Sequence, residues 1–166
     1  MSDLPSEVGN SVDRDAEADD ATMRAELPAD RTSAQQARTA VRRALADWRM
    51  EHLSGDAELL ASELVANAAE HSDGKPIGLA LRRQTEPDGR PGITCEVTDT
   101  SPAMPRRTDP DPDAEHGRGL AIVAALSRSS GVRARQADKT SWFTLALTDR
   151  AHRAARQIDH EPEAGA

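Results

Sequence analysis

The sequence predicts an α+β fold, a two-layer sandwich in which helices cover one face of a mostly antiparallel sheet. The segments follow one another as strand, helix, helix, hairpin, loop, helix, hairpin, so strands and helices do not alternate as in parallel βαβ units. Apolar residues recur at helical spacing in three segments and alternate in others. Two pairs of strand-like segments are joined by short turn sequences, which is typical of hairpins.

The first predicted elements are an edge strand and a helix. Residues 22–28 alternate weakly and end at Pro28, which suits a short strand at the edge of a sheet. Ser33 and Gln36 form a capping-box pattern at the start of a helix. Apolar residues at helical spacing extend this first helix to about Met50.

The second helix is predicted from its end signals and its apolar face. Ser54 or Asp56 can cap its N-terminus, and Gly74 is a typical stop after its last turn. Glu63 and Asn67 flank the apolar face, so both side chains should lie at the margin of the core. The residues of that face are Leu59, Leu60, Leu64, Val65 and Ala68.

The first hairpin is predicted around a turn at 87–89. This Pro-Asp-Gly turn separates strand-like residues 77–81 and 93–99. Alternation in the second strand places three side chains on one side of the sheet. They are Ile93, Cys95 and Val97.

A long loop, a third helix and a second hairpin complete the predicted domain. Residues 100–116 contain four prolines and four acids, which no regular element tolerates. Gly117 opens the third helix. Residues 132–136 and 141–147 form the second hairpin, with its turn at 137–139.

Composition separates this domain from polar tails. Residues 1–20 carry seven acids and one base, a net −6 out of −8 for the whole chain. Such a segment cannot bury enough apolar surface to offset its ordering entropy. We therefore expect a disordered acidic tail at 1–21, a domain at 22–148 and a flexible tail at 149–166. With a single cysteine, Cys95, neither an intrachain disulfide nor a cysteine-rich metal site is expected.

Several functional classes are disfavoured by charge and hydropathy. Arginines are scattered among acids, so no basic surface for direct nucleic-acid binding is predicted. No apolar run approaches membrane-spanning length, and the N-terminus has no apolar core of a signal peptide. A cytoplasmic protein that binds neither nucleic acid nor membrane is the expectation.

The residues with the clearest chemical potential lie on the second helix. Glu63, Asn67 and His71 are four positions apart and share one helix face. One interpretation is an ordinary solvent-facing margin. The other is a ligand site, because an amide oxygen suits a hard cation such as Mg²⁺ and a glutamate can accept a proton.

Two further motifs are weak when taken singly. Asp99 ends a strand and could be a turn former or an acceptor for an amine above the sheet. The Gly-x-Gly of Gly117 and Gly119 precedes a helix, where free N–H groups can hold an anion. It could equally be a hinge.

Together these motifs resemble the GHKL ATPase superfamily. Within it, the chain is similar to the small stand-alone ATP-binding proteins related to anti-sigma-factor serine kinases. Residues 63–68 resemble the family's N-box, 117–123 its second glycine box, and 139–143 its closing strand. The resemblance covers roughly 22–148 and implies a Bergerat-type sandwich. After Asp99 the sequence lacks the glycines of the superfamily pattern.

The resemblance implies roles for individual residues. Asn67 would bind the Mg²⁺ that bridges the phosphates of ATP, and Glu63 would be the general base acting on a partner's serine. Asp99 would accept a hydrogen bond from the adenine amino group, and residues 100–116 would form the lid over ATP. Thr140 would touch the adenine pocket. The backbone that would cradle the phosphates belongs to Gly117, Arg118, Gly119 and Leu120.

The implied function is transfer of the ATP γ-phosphate to a serine or threonine of an anti-anti-sigma (STAS-type) partner. An alternative is a module with little or no catalysis that sequesters a sigma factor or another regulator. A homodimer is compatible with either role. An unrelated α+β domain with chance motifs is disfavoured, because three motifs occur in the correct order and spacing.

Overall fold

Five strands and three α-helices make up residues 21–100 and 115–147, the part of the chain that this computed structural model describes. A short 3-10 turn at Glu51–Leu53 joins the first two helices. In chain order the elements are β1 (Thr22–Leu27), α1 (Ser33–Asp47), α2 (Ser54–His71), β2 (Ile77–Thr85), β3 (Pro91–Asp99), α3 (Glu115–Leu126), β4 (Ser129–Ala134) and β5 (Lys139–Ala146).

The strands form one sheet in the order β1-β2-β3-β5-β4, and every neighbouring pair is antiparallel. The predicted α+β sandwich is confirmed, with both hairpins, and β1 lies at the edge. The last of the described strands does not lie at the edge, because β5 pairs with β3 on one side and β4 on the other. The predicted tails and nearly all of the predicted 100–116 lid lie outside the described residues, so the domain boundaries stay a prediction.

One face of the sheet is buried beneath the helices. Its inward row includes Ile77, Leu79, Leu81, Ile93, Cys95, Val97, Phe143 and Leu145. The buried helix residues that complete this core include Val41, Leu45, Leu60, Leu64, Val65 and Val123. The predicted apolar face of α2 is confirmed except at Leu59, which is 38% exposed, because it lies about 100° around the helix from Leu60.

The cysteine of β3 belongs to this core. Cys95 is fully buried, and burial raises the pKa of its thiol. A protonated thiol enclosed by apolar side chains is a poor nucleophile. Cys95 therefore acts as a small core residue.

No helix among the described residues is long and apolar enough to cross a bilayer.

The capping box predicted at α1 is wrong. Thr32 occupies the N-cap position, and Gln36 Nε2 donates to Thr32 Oγ1 at 2.9 Å. Ser33 Oγ turns back to the carbonyl of Asp30 at 2.7 Å. The Asp30 side chain also holds Thr32, so local turn bonds compete with the expected cap. At its other end α1 stops at Asp47, three residues earlier than predicted.

The cap predicted at α2 is also wrong, although the helix begins at Ser54 as expected. Leu53 is the N-cap and has no side-chain capping bond. Ser54 Oγ instead donates to Glu58 Oε1 at 2.5 Å. Glu58 also accepts from Arg42 Nη2 at 2.6 Å and from Arg42 Nε at 3.1 Å, which ties α2 to α1.

This ion pair predicts a pH-dependent contribution to stability. Arg42 lowers the pKa of Glu58 in the folded protein. The stabilisation is therefore present above the unfolded-state pKa and is lost as pH falls through the folded-state pKa. We expect Glu58→Gln to lower the free energy of unfolding by less than about 1 kcal/mol at pH 7. Urea unfolding at pH 7 and at about pH 2 would measure it, and an equal loss at both pH values would contradict the assignment.

Candidate functional site

Helix α2 carries Glu63 and Asn67 on one face, at the margin of the core. Both side chains are half-buried, whereas His71 at the end of the helix is exposed. Within residues 21–100 and 115–147, neither Glu63 nor Asn67 forms a side-chain hydrogen bond or ion pair. Half-buried polar groups without a protein partner are suited to contact a ligand.

Helix α3 packs against α2 and brings the second motif to Glu63. A methyl group on Cα of Gly119 would lie 2.6 Å from Glu63 Oε2, far inside van der Waals contact. The absence of a side chain at Gly119 therefore lets the carboxylate rest on α3. The sequence predicted both motifs but gave no sign of this contact.

The start of α3 differs from the prediction and changes which N–H groups face outward. The helix begins at Glu115, two residues before Gly117. The N–H of Gly117 lies in the first turn and has no acceptor within a regular helix. Those of Gly119 and Leu120 lie in the second turn, where helix geometry pairs them with carbonyls. Leu120 also packs against the core.

Phosphate contacts by Gly117, Arg118, Gly119 and Leu120 stay predictions. The side chain of Arg118 lies outside the described residues. For Gly119 and Leu120 the predicted contact requires the first turn of α3 to unwind, since their N–H groups otherwise point along the helix.

Asp99 ends β3 on the sheet face that the helices cover, where it forms an ion pair with a lysine. Its cross-strand partner on β5 is Lys139. Lys139 Nζ lies 3.6 Å from Asp99 Oδ2, and the two side chains are 6% and 2% exposed. The predicted turn at 137–139 is wrong at Lys139, which begins β5 as the resemblance to a closing strand implies, and this buried ion pair was not predicted.

Thr140 and Asp99 lie on opposite faces of the sheet. Thr140 pairs with Thr98, and their hydroxyls are 2.9 Å apart on the face away from the helices. Since side chains alternate along a strand, Ser141 is the β5 hydroxyl on the side of Asp99. The adenine contact predicted for Thr140 stays a prediction, and the geometry favours Ser141 for it.

A magnesium ion would fit the described residues only if ATP supplies several of its ligands. No group of three or more His, Cys, Asp or Glu side chains gathers within them to hold a metal. Asn67 offers an amide oxygen, a ligand that Mg²⁺ accepts. The remaining ligands would be phosphate oxygens and water, the usual arrangement for this cation.

The open face of the sheet has a concavity of its own, of about 360 Å³. Arg24, Glu96 and Thr98 are among the side chains that line it. Nearby, Arg133 pairs with Glu96 and lies 5.9 Å above the ring of Trp142. This surface is separated from Glu63 and Asp99 by the sheet itself, so it is not part of the site.

Two comparisons with known proteins bear on the chain as a whole. A family model for the histidine kinase-like ATPase domain matches residues 27–145. No curated protein matches the chain.

Proposed function

Because the chain belongs to the family of histidine kinase-like ATPase domains, we propose that it binds Mg–ATP between α2, α3 and the end of β3 and acts as a protein serine/threonine kinase. The acceptor is a serine or threonine hydroxyl of an anti-anti-sigma (STAS-type) protein. Membership of an ATPase-domain family implies ATP binding. The kinase activity, its acceptor and the Mg²⁺ site are the proposal.

The observation that carries the proposal is the meeting of two motifs at Glu63, the one on α2 and the glycine motif of α3. Asn67 lies one turn away on the same helix face, and Gly119 of α3 lies against the Glu63 carboxylate. An acid positioned at a nucleotide site, without a protein partner among the described residues, is suited to accept a proton. A protein that only binds nucleotide has no need of it.

The proposed transfer balances as follows. Glu63 removes the proton from the acceptor hydroxyl while the hydroxyl oxygen forms a bond to the γ-phosphorus. The bond from that phosphorus to the β,γ-bridging oxygen breaks. ADP leaves, and Glu63 returns the proton to solvent. Mg²⁺, when bound, supplies neutralisation of the phosphate charge. Asn67 would hold it in place.

A second candidate function is sequestration of a sigma factor or another regulator without phosphotransfer. One observation favours it. Asp99, the residue expected to receive adenine, is engaged by Lys139 in a buried ion pair. A protein of this kind would bind its partner stoichiometrically and leave no phosphate on it, which separates the two functions experimentally.

The experiment that tests the nucleotide site is calorimetric titration with ATP, with and without Mg²⁺. We expect Asn67→Ala to weaken binding by about 10- to 150-fold in Mg²⁺, the effect of losing about 1.5–3 kcal/mol of a polar contact to a charged group. Without Mg²⁺ the variant and the wild type should bind alike.

The matched control is His71→Ala, one turn further along α2 and exposed. It should bind as the wild type does under both conditions. Equal Mg²⁺ dependence in Asn67→Ala and wild type would rule out Asn67 as the metal ligand. If the wild type shows no binding at millimolar ATP, the proposed kinase function fails and sequestration is left.

A further inference from the structure

We propose that Lys139 and Asp99 form a paired reading site for the purine edge, in which the carboxylate accepts a hydrogen bond from the base and the ammonium donates one to it. The inference rests on the proposed nucleotide site and specifies its base selectivity. It assigns Lys139 a role in choosing the base, in addition to the role expected for Asp99.

The position of Lys139 supports this role. It is the first residue of β5 and lies directly opposite Asp99, the last residue of β3. Both side chains point to the helix-covered face at the same end of the sheet, beyond the apolar rows of the core. A base that reaches Asp99 therefore also reaches Lys139.

The burial of Lys139 needs an explanation. Lysine is seldom so deeply buried unless it is paired. Removing two charges from water is costly, and a buried ion pair often stabilises a fold less than apolar residues would. The pair is thus weak as a purely structural device, and a role in ligand recognition gives a reason for its presence.

The geometry of the pair leaves the ammonium able to donate. Its 3.6 Å separation from Asp99 Oδ2 exceeds hydrogen-bond length. Among the described residues, every side-chain nitrogen or oxygen that is fully shielded from solvent has a hydrogen-bond partner. Lys139 Nζ forms no hydrogen bond within that part of the chain, so it is not fully shielded from solvent. Its N–H groups are therefore not committed to another side chain and can donate to a bound base.

An acceptor beside a donor matches the edges of more than one purine. Adenine presents an amino donor next to the ring acceptor N1, and hypoxanthine presents an N1–H donor next to the acceptor O6. A lone carboxylate repels O6, whereas an adjacent ammonium attracts it. The pair should therefore accept ATP and inosine triphosphate with similar affinity.

The test is calorimetry of Mg–ATP and Mg–inosine triphosphate binding to the wild type and to Lys139→Met. We expect wild-type affinities within about tenfold of each other, and a loss for inosine triphosphate in Lys139→Met at least about tenfold larger than the loss for ATP. Lys139→Arg keeps the charge and should restore the wild-type ratio. Thermal unfolding of each variant checks that it is folded.

Arg135→Met is the matched control. It removes an exposed positive charge from the same hairpin without touching Asp99, and it should keep the wild-type ratio. If Lys139→Met does not fold, Lys139→Gln replaces it, since Gln retains a polar contact but loses the charge. The expected shift in ratio has the same direction.

Three results would overturn the inference. An unchanged ratio in a folded Lys139 variant would make the pair structural only. Tighter ATP binding in that variant would make Lys139 a competitor of the base. Either result leaves the proposed nucleotide site standing, because ATP still binds. A wild type that binds neither nucleotide would overturn both proposals.

Discussion

The Glu63→Gln variant is expected to transfer phosphate to its protein partner about 10²–10⁴ times more slowly than the wild type. Glutamine keeps the shape and most contacts of glutamate but cannot accept the hydroxyl proton. Mg–ATP affinity should change little, because Asn67 and Asp99 are untouched. The measurement is transfer of labelled γ-phosphate to purified STAS-domain proteins, alongside calorimetry of ATP binding.

Glu70→Gln is the control for this variant. Glu70 is an exposed carboxylate on the same helix, two turns from Glu63 and therefore about 10 Å further along the helix axis. Its variant should transfer phosphate at the wild-type rate. Phosphotransfer by Glu63→Gln that equals the wild type would remove Glu63 from the role of general base, even if the protein is a kinase.

The second large effect is expected from Gly119→Ala. The added methyl group would lie 2.6 Å from Glu63 Oε2, so the carboxylate has to move. A displacement of about 1 Å at a reacting group can lower the rate about 10²-fold. We expect phosphotransfer to fall by that order, while the thermal unfolding temperature is maintained, because alanine is the better helix former.

Gly55→Ala provides the matched comparison for this helix substitution. Gly55 lies in α2, and no atom is within 4 Å of a methyl group placed on it. It should remain fully active and gain roughly 0.5–1 kcal/mol of stability from the propensity difference alone. If Gly119→Ala is as active as Gly55→Ala, the contact with Gly119 does not position the Glu63 carboxylate.

Local pattern was sufficient to predict the sandwich. The alternation of Ile93, Cys95 and Val97 sets which face of β3 is buried, and the turn at 87–89 sets the hairpin, since both signals depend on neighbours in sequence. The N-terminal caps predicted for α1 and α2 were wrong, because several nearby side chains compete for the same backbone and side-chain partners. At α2, for example, Glu58 rather than the backbone receives the Ser54 hydroxyl.

The candidate site was predictable only where its residues share one element. Glu63 and Asn67 lie on one helix, and a fixed helical period relates them. Lys139 and Asp99 meet across β3 and β5, whose register depends on the whole sheet. A one-residue step along β5 exchanges the two faces, so Thr140 lies on the open face and Ser141 on the face of Asp99.

The insertion of β5 between β3 and β4 has a consequence for the synthesis of the protein. Until the C-terminal hairpin has left the ribosome, β3 is an open edge that can pair with other chains. Lys139 and Ser141 join Asp99 only at that last step, through contacts distant in sequence, which are slow to form. A chain broken off before β5 lacks Lys139, so the proposed choice between purines belongs only to molecules synthesised through β5.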